Sequence, residues 1–131
     1  MNRLFLLLFI MIMPLIGFGQ TKTSNVIIQD TVNVYKLYPT KNMCTFLKLN
    51  TSNGQIWQVH FSINDKGNDG EYCLNILKLA HGNDAINGRF ELYPTENLYN
   101  FILLDKVDGR TWQVQWSFDY SNRGILPIKN Y

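Results

Sequence analysis

YKLYPTKNMCTFLKLNTSNGQIWQVHFS, residues 35–62, and FELYPTENLYNFILLDKVDGRTWQVQWS, residues 90–117, are one unit written twice. At an offset of 55 residues the two stretches agree at 12 of 28 positions. The shared residues include Leu37-Tyr38-Pro39-Thr40 over Leu92-Tyr93-Pro94-Thr95, Asn42 over Asn97, Phe46 over Phe101 and Leu49 over Leu104. They continue with Gly54 over Gly109, Trp57-Gln58-Val59 over Trp112-Gln113-Val114 and Ser62 over Ser117. Self-similarity on this scale governs the fold and is read before any local propensity.

Each copy reads as antiparallel strands. In the second, Gly88 to Tyr93 is a short strand, Pro94 to Asn97 a turn, and Leu98 to Asp105 a second strand. Lys106 to Gly109 then turns the chain into a third strand, Arg110 to Phe118. Asp-Gly and Asn-Gly between strand-like runs are hairpin signals, because glycine tolerates the positive φ that the turn requires. The third strand alternates: Trp112, Val114 and Trp116 face one way, Thr111, Gln113 and Gln115 the other. Its counterpart sets Trp57, Val59 and Phe61 against Ile56, Gln58 and His60. Such period-two patterning describes a half-buried antiparallel strand.

Glu71 to His81 can be read as a short helix ending at Gly82. Its parallel with Gly124 to Ile128, which contains Pro127, and the alternation of Tyr72, Leu74 and Ile76 favour a fourth strand instead. Asn25 to Thr31 is a candidate extra strand. The expected fold is all-β: two pseudo-repeated four-stranded antiparallel meanders, about 33–79 and 88–128, packed as a sandwich or a barrel. The tryptophan-bearing faces of both repeats are expected to meet in the core, with Phe46, Phe101, Leu49 and Leu104 beside them.

The 131-residue chain opens on MNRLFLLLFIMIMPLIGFGQ. Arg3, ten apolar residues from Leu4 to Met13, Pro14 and Gly17-Phe18-Gly19 make residues 1–19 a signal peptide by pattern, which leaves 20–131 as a single β domain. The apolar stretch is shorter than the roughly 20 residues of a spanning helix. A periplasmic or secreted protein with no stable membrane span after processing is the expectation. The formal net charge is +2, too nearly neutral for nonspecific contact with nucleic-acid phosphates.

Cys44 and Cys73 are the only cysteines. In an oxidising compartment they either pair, at a chain-entropy gain of roughly 3.5 kcal/mol, or remain free thiols that behave as small hydrophobes. No metal set or cofactor motif is recognised: CxxC, HExxH, Gly-x-Ser-x-Gly and Walker patterns are all missing from the sequence. The stretch Asp65 to Glu71 fits a polar hairpin loop better than a calcium loop, since Gly67 and Ile76 occupy ligand positions of the latter. His60 lies on the polar side of its strand, and His81 reads as a loop residue. Glu91 and Glu96 are the nearest approach to a carboxylate pair, yet their counterparts are Lys36 and Lys41, as suits solvated loops or one face adapted to a partner.

The run Leu104 to Trp112 is similar to the outer hairpin of β-propeller blades, which implies blade-like hairpins here. The duplicated YPTxN…F…G…WQV pattern resembles that of a group of small exported, uncharacterised bacterial β-proteins, and this implies an exported all-β protein. With no catalytic set, the expected function is binding without catalysis. The concrete form is a protein-binding inhibitor or immunity protein that occludes a toxin or envelope enzyme in the periplasm; the alternative is a glycan- or envelope-binding module. Gln58, His60, Tyr93, Gln113 and Gln115 are the candidate contact residues, because polar side chains beside turn tyrosines offer hydrogen bonds and rigid area together.

Overall fold

The computed structural model describes residues 33–64, 67 and 69–131. The expected signal peptide at residues 1–19 and the candidate strand at Asn25 to Thr31 lie outside the described residues, as do Asp65, Lys66 and Asn68 of the polar loop. Two four-stranded antiparallel sheets make up the fold. The first sheet is β1 (Tyr35–Pro39), β2 (Thr45–Asn50), β3 (Ile56–His60) and β4 (Gly70–Asn75) in that order. The second is β5 (Phe90–Pro94), β6 (Asn100–Asp105), β7 (Thr111–Gln115) and β8 (Gly124–Pro127). The all-β, duplicated architecture is the one the repeat implies, and the two sheets stay separate layers. Residues 71–75 are strand, and Pro127 lies on an edge strand, where its missing N–H leaves no ladder bond unmade.

The motif residues shape the turns. Thr40 Oγ1 donates to Thr45 O at 2.8 Å and accepts from Asn42 N at 3.1 Å, while Asn42 Oδ1 accepts from Cys44 N at 2.9 Å. In the second repeat, Thr95 Oγ1 donates to Asn100 O at 2.8 Å, and Asn97 Oδ1 accepts from Tyr99 N at 2.9 Å. The YPTxN signature is therefore a side-chain clamp on the first hairpin of each sheet. Gly54 and Gly109 close the second hairpin at φ +79° and +73°, their N–H groups donating to Asn50 O and Asp105 O. A side chain there would be strained.

Cross-strand register sorts each sheet into two faces. In the second, Phe90, Leu92, Phe101, Leu103, Trp112, Val114 and Trp116 are buried, as the alternation predicts. In the first sheet the buried residues are Tyr38, Thr45, Leu47, Leu49, Ile56 and Gln58. These occupy the face opposite to the one equivalent to the core of the second sheet. The expectation that both tryptophan faces meet is corrected here: Trp57 and Phe46 are half-buried and Phe61 is 43% exposed. Phe46 and Leu49, three apart on one strand, face opposite ways. The reason lies in the residues that differ between repeats. Lys48 and Glu71 share the face of Trp57, whereas Leu103 and Ile125 stand near the same places beside Trp112. Burying that charged face would require desolvating Lys48 and Glu71, so the aliphatic face of Leu47, Leu49 and Ile56 turns inward instead.

Between the layers, Gln58 Oε1 accepts from Ser117 N at 3.2 Å. At the start of β5, Phe90 N donates to Thr51 O at 2.8 Å and Gly88 N to Thr51 Oγ1 at 3.0 Å, fixing the second sheet to the β2–β3 hairpin. Below them Asp105, fully buried, accepts from Arg89 Nε and Nη2 and from Arg110 Nη2, each at 2.9 Å. Burial alone would raise the Asp105 pKa. The two guanidinium groups and the N–H groups of Val107 and Asp108 overcome that and hold it far below the ordinary carboxylate range. No helix among the described residues is long and apolar enough to cross a membrane.

Candidate functional site

The five candidate contact residues do not gather on one surface. Gln58 is fully buried and serves as the inter-sheet fastener, which corrects its reading as a contact residue. An alternating strand with charged neighbours on one side and aliphatic ones on the other can bury its glutamine when one end of the amide is satisfied: Oε1 takes the Ser117 N–H, while Nε2 has no hydrogen-bond partner among the described residues. His60 is half-buried. Its Nδ1 lies 2.9 Å from Thr45 Oγ1, and its ring meets the edge of Phe118 at 5.2 Å. His60, Tyr72, Phe118 and Arg123 line an open depression between the sheets, with the Arg123 guanidinium 4.4 Å above the Tyr72 ring.

Tyr93, Gln113 and Gln115 do share a face, the outer side of the second sheet. Tyr93 and Gln113 lie in one cross-strand row with Ile102 and Leu126. Tyr93 Oη donates to Glu91 Oε2 at 3.2 Å. Gln113 and Gln115 border a groove of about 320 Å³ with Ser121, Asn122, Arg123 and Leu126.

Cys44 and Cys73 are free, so the bridge weighed above does not form. Cys44 precedes Thr45, whose row runs through His60 to Gly70, whereas Cys73 lies opposite Trp57. Two strand spacings across and four residues along separate the two positions by roughly 10 Å in one direction and roughly 13 Å in the other. That exceeds the roughly 7 Å reach between disulfide Cα atoms.

The larger surface went unread in the sequence: the outer side of the first sheet. Tyr35, Leu37 and Phe61 are 54%, 57% and 43% exposed there, around half-buried Phe46, Trp57 and Val59. The Tyr35 and Trp57 rings lie 6.3 Å apart at 55°. Lys48 crosses the middle of the face, its Nζ 4.9 Å above the Trp57 ring and paired with Glu71. Lys48 facing Leu103 in the alignment was the signal available in the sequence, since a charge in mid-strand marks the solvent side.

Glu91 and Glu96 find their partners at their own repeat equivalents. Lys36 Nζ donates to Glu91 Oε1 at 3.2 Å, and Lys41 Nζ to Glu96 O at 2.8 Å. The hydrogen bond from Lys36 is the main reason the Glu91 pKa is lowered. These exchanged charges therefore join the repeats.

No family model, curated protein or solved structure matches the chain. The residues alone carry the functional reading.

Proposed function

We propose that the chain is an exported, non-catalytic protein-binding module that occludes a toxin or envelope enzyme, in the manner of an inhibitor or immunity protein. The observation that carries this reading is the exposed aromatic face of the first sheet. Its counterpart in the second sheet is core, so the first presents a surface shaped like a buried one to solvent. Contiguous apolar area of this kind on a small protein is characteristic of interaction sites. Aromatic anchors such as Trp57, Phe46 and Phe61, with the Lys48–Glu71 pair among them, are residue types on which protein interfaces rely. A glycan reading is weaker here. Lys48 lies across Trp57 and Tyr35 packs against it, so the indole offers no open platform for a sugar ring.

The test is capture from an envelope extract of the producing cell, followed by assay of the captured protein. Wild type is expected to retain a toxin or enzyme and inhibit it, and the double variant Leu37→Asp/Phe61→Asp to lose both effects at unchanged melting temperature. Retention by the double variant, or capture without inhibition, would overturn the proposal. Quenching of Trp57 fluorescence by soluble glycans would point to the envelope-binding alternative.

A further inference from the structure

Equivalent faces of the two repeats have opposite fates, and this fixes the symmetry of their packing. The first sheet buries Tyr38, Leu47 and Gln58, whereas their equivalents Tyr93, Ile102 and Gln113 lie on the outer side of the second. Conversely, the second sheet buries Phe90, Leu92 and Trp112, whereas Tyr35, Leu37 and Trp57 lie on the outer side of the first. A two-fold relation would bury the same face twice. The repeats are instead stacked head to tail, and a head-to-tail operation leaves one unsatisfied face of each kind at its two ends.

Resting on the reading of the first sheet's outer face as a docking surface, we infer that, without another partner, this face is covered by the outer face of the second sheet from a second copy of the chain. The operation that carries the first sheet onto the second then continues from one molecule into the next.

The bonds between the sheets show how the residues of the two outer faces match. Lys36 and Lys41 reach Glu91 and Glu96 within the chain. One further application of the operation sets Glu91 and Glu96 against Lys36 and Lys41 of the second copy, so the charges are again opposite. Gln58 Oε1 accepts from Ser117 N within the chain. Gln113, its equivalent, then meets the N–H of Ser62 in the second copy. Phe118 packs on His60. In the next interface Ile63, 76% exposed, takes the place of Phe118, and Gln115 that of His60. Tyr93 and Leu126 supply apolar cover for Leu37 and Trp57.

The intermolecular contact differs from the internal one most in the charge it must cover. Lys48 and Glu71 lie where Leu103 and Ile125 fill the core, and covering them removes both from water. Their mutual pairing and the Trp57 ring offset part of that desolvation, which makes the association weaker than the internal contact and reversible. Closure of the operation gives a ring, and non-closure gives an open series.

The experiment uses the signal-free chain with Cys44→Ser, sedimented across a range of concentrations while Cys73 is labelled with a thiol reagent. Cys73 lies in the row of Leu37 and Trp57, on the face to be covered. Wild type is expected to form concentration-dependent oligomers, either one discrete ring or a ladder of sizes, with Cys73 labelling slowed at least several-fold as they form. Leu37→Asp and Leu126→Asp, on the two outer faces, are each expected to be monomeric alone and to form dimers, and no larger species, when mixed. That complementation is specific to a head-to-tail contact. A monomer at every concentration with constant Cys73 labelling overturns the inference, as does a dimer indifferent to Leu126→Asp. Neither outcome touches the capture and inhibition assay, on which the protein-binding reading stands or falls separately.

Discussion

Tyr35 against Trp57 and Phe90 against Trp112 are the same ring pair in two settings: both have centroids 6.3 Å apart and planes at 55°. Phe90 and Trp112 are buried, whereas Tyr35 is exposed and Trp57 half-buried. Local strand geometry is thus inherited from the repeat, and burial is not. What distinguishes the two settings is a few charges on one side of the first sheet and a few aliphatic residues on the other. A sheet has two faces, and the composition of both decides which goes inward.

The comparison can be broken most forcefully at the ends of β2 and β6, where Asn50 and Asp105 are equivalent. Among the described residues Asn50 Oδ1 serves its own turn, accepting from Ser52 N and Oγ, while Asp105 anchors Arg89 and Arg110. Asp105→Asn is expected to cost about 3–5 kcal/mol in urea unfolding, because it leaves Arg89 facing a neutral amide in the interior. The Asp105 contribution also has a sign in pH. Its folded pKa lies below the unfolded value of about 3.9, so the stabilisation is present above that value and is lost as pH falls towards the folded one. Melting curves of wild type and Asp105→Asn should accordingly converge in acid. A gap that stays constant down to strongly acidic solution would refute the assignment.

The tryptophans come next. Trp112→Ala is expected to cost about 3–5 kcal/mol, as for a large ring removed from a packed core. Trp57→Ala should cost roughly 1–2 kcal/mol, in proportion to the smaller area it removes from water. Equal losses in paired denaturation curves would mean that both faces are core. The glutamines give a smaller contrast with the opposite sense. Gln58→Ala is expected to cost about 1–3 kcal/mol, since Ser117 N loses its acceptor and a void opens between the layers. The aligned Gln113→Ala should stay within roughly 0.5 kcal/mol. Lys48→Leu is also a small change: it removes a surface ion pair and should shift monomer stability by less than about 1 kcal/mol. If it instead inverted the exposure of Trp57, read from fluorescence wavelength and quenching, the charge argument for the choice of face would gain direct support.

Strand order, both hairpins and the edge position of Pro127 were legible in the sequence because each depends on local chemistry: alternation, glycine at positive φ, and a proline without a donor. The face of the second sheet was legible for the same reason, since Trp112, Val114 and Trp116 have only Thr111, Gln113 and Gln115 opposite them on the strand. The first sheet misled because Trp57, Val59 and Phe61 alternate just as well. The deciding residue, Lys48, stands on another strand and enters their face only through the register of β2 with β3. Gln58 was misplaced by the same error. Gln113 and Gln115 were legible on one outer face from their alternation with Trp112, Val114 and Trp116, and Tyr93 only as a turn residue, whereas Cys44 and Cys73 depended on a distance no spacing encodes.

The lysine-to-glutamate exchange at positions 36 and 91, repeated at 41 and 96, acts as a mating code. Were both halves identical, each would meet its own image with like charges, lysine on lysine or glutamate on glutamate. Divergence after duplication has made the halves unlike in sign, so during folding an amino-terminal half is repelled by its twin on another chain and attracted by the carboxy-terminal half that follows it.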